Sequence, residues 1–84
     1  MLREELLASV TEILQDIFDD EELEVTEATC SDDVEDWDSL EQINILVAIQ
    51  DRFDIQFSLD DVSDLKDVGD TIDLIEKKLA EKDE

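Results

Sequence analysis

The feature that most constrains the fold is a three- and four-residue spacing of apolar side chains, which recurs in three segments of a very acidic chain. In an α-helix, residues three and four apart lie on the same face. The 84 residues carry a formal net charge of −22, so a compact state must bury enough apolar surface to offset strong self-repulsion. Because the spacing is helical in all three segments, we expect an all-α fold and not a disordered chain.

The first segment predicts an amphipathic helix from about Leu2 to Phe18. Glu4 and Glu5 would lie in its first turn, where the helix dipole favours negative charge. We expect its apolar stripe to face the core. The stripe consists of Leu6, Val10, Ile13, Leu14, Ile17 and Phe18.

The second segment predicts a helix from about Ser39 to Phe53 with two apolar faces. At about 100° per residue, one face carries Ile45, Leu46, Ile49 and Phe53, and the other carries Leu40, Ile43 and Val47. The first face is the natural core face. The second either docks a partner or packs beneath the long connection that precedes the helix. Since Glu41, Asp51 and Asp54 flank it and require water, we favour docking.

A long connection, residues 19–37, joins these two helices. Connections of this length in a compact domain are usually functional or held down by their own side chains. We expect Thr29 to Asp33 to form a short turn. The candidate anchors to the core are Leu23, Val25, Val34 and Trp37.

The last third of the chain predicts a short helix followed by a longer one. Asp54 to Phe57 is expected to be extended, and Ser58 with Asp61 forms a capping box that starts a helix over Leu59 to Asp64. Gly69 is expected to break the chain before the last helix. Asp70 and Asp73 would cap that helix, which runs to about Ala80. The chain is thus predicted to be one domain, residues 1–84, folded as a four-helix bundle with three longer helices, one short helix and a long first loop.

The composition excludes several classes of function. The negative charge excludes nucleic-acid binding through phosphate contacts and favours protein partners with basic patches. No segment has the roughly 20 apolar residues of a membrane span, and no basic-then-apolar signal opens the chain, so we expect a cytoplasmic protein. We also expect it to be a monomer. Cys30 is the single cysteine, which excludes an internal disulfide and leaves it as a small loop residue.

Enzymatic activity and a dedicated metal site are also disfavoured. The chain has no histidine and no tyrosine, and no basic residue lies between Arg3 and Arg52. A serine nucleophile would therefore lack an obvious base and an oxyanion stabiliser. The acidic stretch from Asp32 to Glu41 lacks the glycine and the acid spacing of a calcium-binding loop.

Ser39 is the strongest candidate for a functional residue. Asp38 has the side chain of an N-cap, and Glu41 three residues later completes a capping-box-like pair. Ser39 then lies in the first helical turn, where backbone N–H groups and the helix dipole favour a bound phosphate. This position suits a serine that carries a phosphate diester.

At these residues the chain resembles an acyl carrier protein. The likeness rests on Asp38-Ser39-Leu40 and extends through Phe53-Asp54-Ile55 to Asp70-Thr71-Ile72. The resemblance implies that a phosphopantetheinyl transferase attaches 4′-phosphopantetheine from coenzyme A to Ser39. It also implies that the arm holds acyl groups as thioesters, which the bundle interior can shelter, for fatty-acid or specialised lipid, polyketide or surface-glycan synthesis.

The resemblance further implies that the second helix docks on basic surfaces of acyl-loading and acyl-processing enzymes. Long-range attraction would come from Asp36, Asp38, Glu41 and Asp51, and short-range contact from Leu40, Ile43 and Val47.

Three positions depart from carriers of housekeeping fatty-acid synthesis. Trp37 stands where those carriers usually have a small residue, Asn44 replaces a frequent glutamate, and Ser58 stands where a proline is common. The tryptophan before the Asp38-Ser39-Leu40 triplet makes the chain more similar to discrete carriers of specialised pathways. Two alternatives stay open: an aminoacyl or peptidyl carrier that uses the same serine, and an unmodified acidic adaptor or DNA mimic.

Overall fold

The computed structural model describes residues 2–34, 37–63 and 65–82, and within these ranges every regular element is helical. The long helices are α1 (Arg3–Ile17), α2 (Ser39–Phe53) and α4 (Val68–Lys82), and the short one is α3 (Leu59–Ser63). A 3₁₀ turn, Ser31–Asp33, lies in the connection between α1 and α2, within the range predicted to turn. The prediction of three long helices and one short one is confirmed; Asp64, predicted to end α3, lies outside the described residues.

The core lies where α1, α2 and α4 meet. The apolar stripe of α1 is buried as predicted at four positions, while Ile17 and Phe18 are partly buried at its end. On α2 the core face is narrower than predicted, because Leu46 is only half-buried. The most completely buried apolar side chains are Leu6, Leu14, Ile49, Ile72 and Ile75.

The long connection packs on the core through its apolar residues. Leu23, Val25 and Trp37 are partly buried against the core cluster, and Val34 is half-buried. The Gln15 side-chain amide also donates a hydrogen bond to the Leu23 carbonyl at 3.0 Å. Three of the four predicted anchors therefore pack against the core, although the segment has no long helix of its own.

The start of α4 differs from the prediction. Gly69 does not break the chain: it lies in the first turn of α4, and a Cβ there would be 3.0 Å from the Glu27 carbonyl oxygen. The Gly69 N–H donates to that same oxygen at 2.8 Å. The glycine therefore permits a close approach of backbones between α4 and the long connection.

The predicted caps of α4 are also wrong. Asp67 accepts a hydrogen bond from the Asp70 N–H at 2.9 Å and so acts as the cap, one turn earlier than predicted. Asp70 instead accepts from the Lys66 N–H at 3.1 Å. Asp73, predicted as a second cap, pairs with Arg3.

The far end of α4 extends to Lys82, two residues beyond the predicted end at Ala80. The Lys82 ammonium lies 3.0 Å from Asp54 Oδ2 and 3.4 Å from the Phe53 carbonyl oxygen. A cation at the C-terminal end of α4 interacts favourably with the helix dipole and here also reaches the end of α2. These contacts account for the additional helical residues.

Arg3 joins three parts of the fold. Its guanidinium contacts Glu27 of the long connection at 2.5 Å, Asp73 of α4 at 2.6 Å, and Glu76 of α4. The hydrogen bonds that Arg3 donates to Glu27 and Asp73 raise the pKa of Arg3 above its ordinary value. Arg3 therefore places one positive charge among three carboxylates at the point where α1, α4 and the connection converge.

The short helix α3 is held by a capping box at its start and by an ion pair with α4. The predicted capping box is present: the Asp61 N–H donates to Ser58 Oγ at 3.1 Å, and the Ser58 N–H donates to Asp61 Oδ2 at 2.9 Å. The same carboxylate oxygen lies 2.8 Å from Lys78 of α4. The Lys78 ammonium, followed by the Ser58 hydrogen bonds, lowers the pKa of Asp61 to about 2.

Candidate functional site

Ser39 is the first residue of α2, and its side chain is exposed. The preceding residue, Asp38, has extended backbone, and its Oδ1 accepts a hydrogen bond from the Glu41 N–H at 2.9 Å. Asp38 is therefore the N-cap of α2, as predicted. The Ser39 hydroxyl is therefore held at the positive end of a 15-residue helix with access to solvent.

Glu41 does not complete the capping box. Its Oε1 accepts a hydrogen bond from Asn44 Nδ2 at 3.3 Å, so the carboxylate turns along the helix toward Asn44. The cap of α2 thus depends on the Asp38 side chain. Asn44, one of the departures seen in the sequence, has a structural contact in this arrangement.

Trp37 anchors the chain just before the serine. Its indole N–H donates to Gln42 Oε1 at 2.7 Å, and its ring centroid lies 6.0 Å from that of Phe18 in a tilted arrangement. The Trp37 N–H also donates to the Val34 carbonyl at 3.1 Å. These contacts connect the end of the long connection to both α1 and α2, and so fix where α2 begins.

A cleft of about 590 Å³ opens beside Ser39, between the start of α2, α3 and the beginning of α4. Its volume is in the range of small-molecule sites. The apolar lining residues are Trp37, Ile43, Val62 and Leu65, and the polar ones are Cys30, Ser31, Asp38, Ser39, Gln42, Lys66, Asp67 and Thr71. The cleft is therefore only partly apolar, and its cationic side chain is Lys66.

The second apolar face of α2 is exposed. Leu40, Ile43 and Val47 are 64%, 58% and 50% exposed. The alternative in which they pack beneath the long connection is therefore wrong, although Ile43 also borders the cleft. Three large apolar side chains on one exposed helix face, next to Ser39, form a surface suited to contact with another protein.

The acidic residues predicted for docking differ in their surroundings. Asp51 is exposed, Asp38 is exposed but occupied in capping, and Glu41 is half-buried beside Asn44. Asp36 lies outside the described residues. Because α2 contains the cation Arg52 as well as the carboxylates of Glu41 and Asp51, the helix itself carries little net charge.

Sequence reasoning missed Lys66 as a neighbour of Ser39 in the cleft. No local signal places them together, because the two residues are far apart in sequence and come to line one cleft only in the folded chain. It also missed Asp67 as the cap of α4. The Asp-x-x-Asp spacing of Asp67 and Asp70 was visible and could have identified it.

Cys30 is half-buried at the edge of the cleft, and its thiol donates to Asp33 Oδ2 at 3.6 Å. Within residues 2–34, 37–63 and 65–82, no three potential metal-ligating side chains converge. Over the same ranges, no helix combines the length and the apolar content needed to cross a bilayer.

The chain is similar to several characterised carriers, although no family model matches it. It is 40% identical over 74 residues to an acyl carrier protein of Thermobifida fusca, covering 87% of this chain and 92% of that protein. It is 32% identical over 83 residues to a meromycolate extension acyl carrier protein of Mycobacterium leprae, covering 98% of this chain and 71% of that protein.

A solved structure shows the same arrangement of helices. The solution structure of the holo acyl carrier protein from Geobacter metallireducens superimposes with a TM-score of 0.85 at 39% sequence identity, covering 92% of this chain and 88% of that one. Sequence and fold agree over nearly the whole length. This chain belongs to the acyl carrier protein family, whose members are carriers and not enzymes.

Proposed function

We propose that Ser39 carries a 4′-phosphopantetheine arm and that the protein transports acyl groups as thioesters on that arm. The observation that supports this most is the exposed Ser39 hydroxyl at the capped N-terminus of α2, in the sequence Asp38-Ser39-Leu40. The residues present fit the group, because the cleft beside Ser39 has room for the arm or a short acyl chain. When bound, the arm supplies the thiol that forms the thioester.

In the attachment step, Ser39 Oγ would attack a phosphorus of the coenzyme A pyrophosphate. The bond from Oγ to phosphorus forms, the pyrophosphate P–O bond breaks, and adenosine 3′,5′-bisphosphate leaves. The hydroxyl proton passes to a base of the phosphopantetheinyl transferase, since the chain has no histidine. The carrier's own contribution is positional: Asp38 and Trp37 fix the start of α2 and so present the hydroxyl outward.

The exposed face of α2 would then dock the transferase and the acyl-loading and acyl-processing enzymes. Leu40, Ile43 and Val47 provide apolar contact, and Asp38, Glu41 and Asp51, with Asp36, attract basic surfaces. These enzymes would belong to fatty-acid synthesis or to a specialised lipid, polyketide or surface-glycan pathway. Carrier function of the relatives favours acyl groups over amino acids as the cargo.

The proposal is tested by intact-mass analysis after incubation with a phosphopantetheinyl transferase and coenzyme A. The wild-type protein should gain the mass of one arm, and Ser39→Ala should gain none. Ser31→Ala is the matched control, because Ser31 is another exposed serine that lines the same cleft. Full modification of Ser39→Ala, or none of the wild type, would contradict the proposal.

A further inference from the structure

The cleft beside Ser39 contains few polar groups that are available to a ligand. Gln42 accepts from the Trp37 indole at 2.7 Å. The Cys30 thiol points to Asp33 at 3.6 Å. These lining side chains therefore already take part in contacts that hold the protein together.

The two carboxylates and the threonine of the lining are likewise occupied. Asp38 caps α2, and Asp67 caps α4, each accepting a backbone N–H at 2.9 Å. Thr71 Oγ1 donates to the Asp67 carbonyl at 3.2 Å. Capping carboxylates are directed at helix N–H groups, so they turn part of their negative charge away from the cleft.

Three polar groups of the lining make no side-chain hydrogen bond to the residues that the structure describes: the hydroxyls of Ser31 and Ser39 and the ammonium of Lys66. The Lys66 backbone is nevertheless fixed, because its N–H donates to Asp70 Oδ2 at 3.1 Å. A fixed backbone with an available ammonium is suited to bind an anionic oxygen. Four of the other five basic side chains, those of Arg3, Arg52, Lys78 and Lys82, are in ion pairs.

We propose that the Lys66 ammonium positions the arm by binding the phosphodiester attached to Ser39. This inference rests on the proposed function. Both residues line one cleft, and the phosphodiester would be an added anion in a chain of net charge −22. A local cation, together with the N-terminus of α2, offsets the repulsion that such an anion meets. Lys66 thereby holds the first atoms of the arm at the cleft and leaves the distal part to move.

The test uses the phosphorus resonance of the complete holo protein, which reports the surroundings of the phosphodiester directly. Lys66→Met should shift this resonance and abolish its dependence on salt concentration, and Lys66→Arg should restore both. Lys77→Met is the matched control: it makes the same charge change at an exposed residue of α4 outside the cleft, and should leave the wild-type resonance unchanged.

Identical phosphorus spectra of the wild type and Lys66→Met, at low and at high salt, would overturn the inference. Equal shifts in Lys66→Met and Lys77→Met would overturn it too, because they would show a general field effect. Intact mass separates the two proposals. If the wild type gains no arm, the proposed function fails; if all variants carry the arm and their spectra coincide, only the role of Lys66 fails.

Discussion

Helices α2 and α4 are each 15 residues long, but they differ in what their apolar side chains contact. Along α4, Val68, Ile72, Leu74 and Ile75 are buried. Asp73 and Glu76 pair with Arg3, Lys78 pairs with Asp61, and Lys82 pairs with Asp54. Along α2, a core face is buried while a second apolar face is open to solvent.

The two helices therefore contribute differently to stability. Folding stability comes from burial of apolar surface, so α4 contributes through nearly all its apolar residues. Leu40, Ile43 and Val47 gain little from folding, because at least half of each remains exposed. Their position beside Ser39 is consistent with use by other proteins.

The contributions of the two helices to stability are compared most directly by replacing isoleucine with alanine on each, as Ile72→Ala on α4 and Ile43→Ala on α2. Ile72 is fully buried and Ile43 is 58% exposed. Ile72→Ala should lower the free energy of unfolding by about 2–5 kcal/mol, from lost burial and the cavity left behind. Ile43→Ala should change it by less than ~0.5 kcal/mol. Urea denaturation measures both, and equal losses would end the distinction between the helices.

A second experiment asks whether the exposed face of α2 serves partners. Leu40→Ala should lower kcat/KM for arm attachment at least about fivefold, the loss expected for a residue worth over 1 kcal/mol at an interface. Leu2→Ala is the matched control, since Leu2 is 67% exposed and Leu40 is 64% exposed, and Leu2 lies at the start of α1. Similar kcat/KM values for the two variants would contradict docking through Leu40.

A smaller effect is expected where α3 joins α4. Because the pKa of Asp61 is lowered to about 2 in the folded protein, its contribution to stability is present above the unfolded pKa near 3.9. That contribution is lost as pH falls from about 4 through about 2. The stability difference between wild type and Asp61→Asn should therefore shrink over this range.

Acidification also relieves self-repulsion across the whole chain, so only a difference between proteins isolates Asp61. Asp60→Asn is the control, because Asp60 is the exposed neighbour of Asp61 on α3 and its substitution removes the same charge. Thermal denaturation at several pH values measures both. A wild-type advantage over Asp61→Asn that is constant from pH 5 to about 2 would contradict the role of the ion pair with Lys78.

The parts of the fold that follow from local pattern could be predicted from the sequence. The 3.6-residue period identified α1 and α2, and the Asp38 and Ser58 caps identified where α2 and α3 begin. Ser39 was predicted as the candidate site because a cap and a motif coincide at one helix start. Exposure of Leu40, Ile43 and Val47 was favoured over packing beneath the long connection, since a helix in so small a bundle buries two faces with difficulty.

What depends on packing between distant segments could not be predicted. Gly69 was predicted to break the chain because glycine destabilises helix interiors. In the structure it instead permits the close approach of the Glu27 backbone. Arg3 pairs with Glu27, Asp73 and Glu76, and Lys66 lines the same cleft as Ser39, although these residues are far apart in sequence. No periodicity or short motif records such contacts.

The most direct test of the account is to locate the arm by fragmentation mass spectrometry of the wild-type protein after modification. We expect the added mass on Ser39 alone, at the start of α2. An arm on Ser31, Ser58 or any other side chain would contradict the claim that the N-terminus of α2 is the functional site.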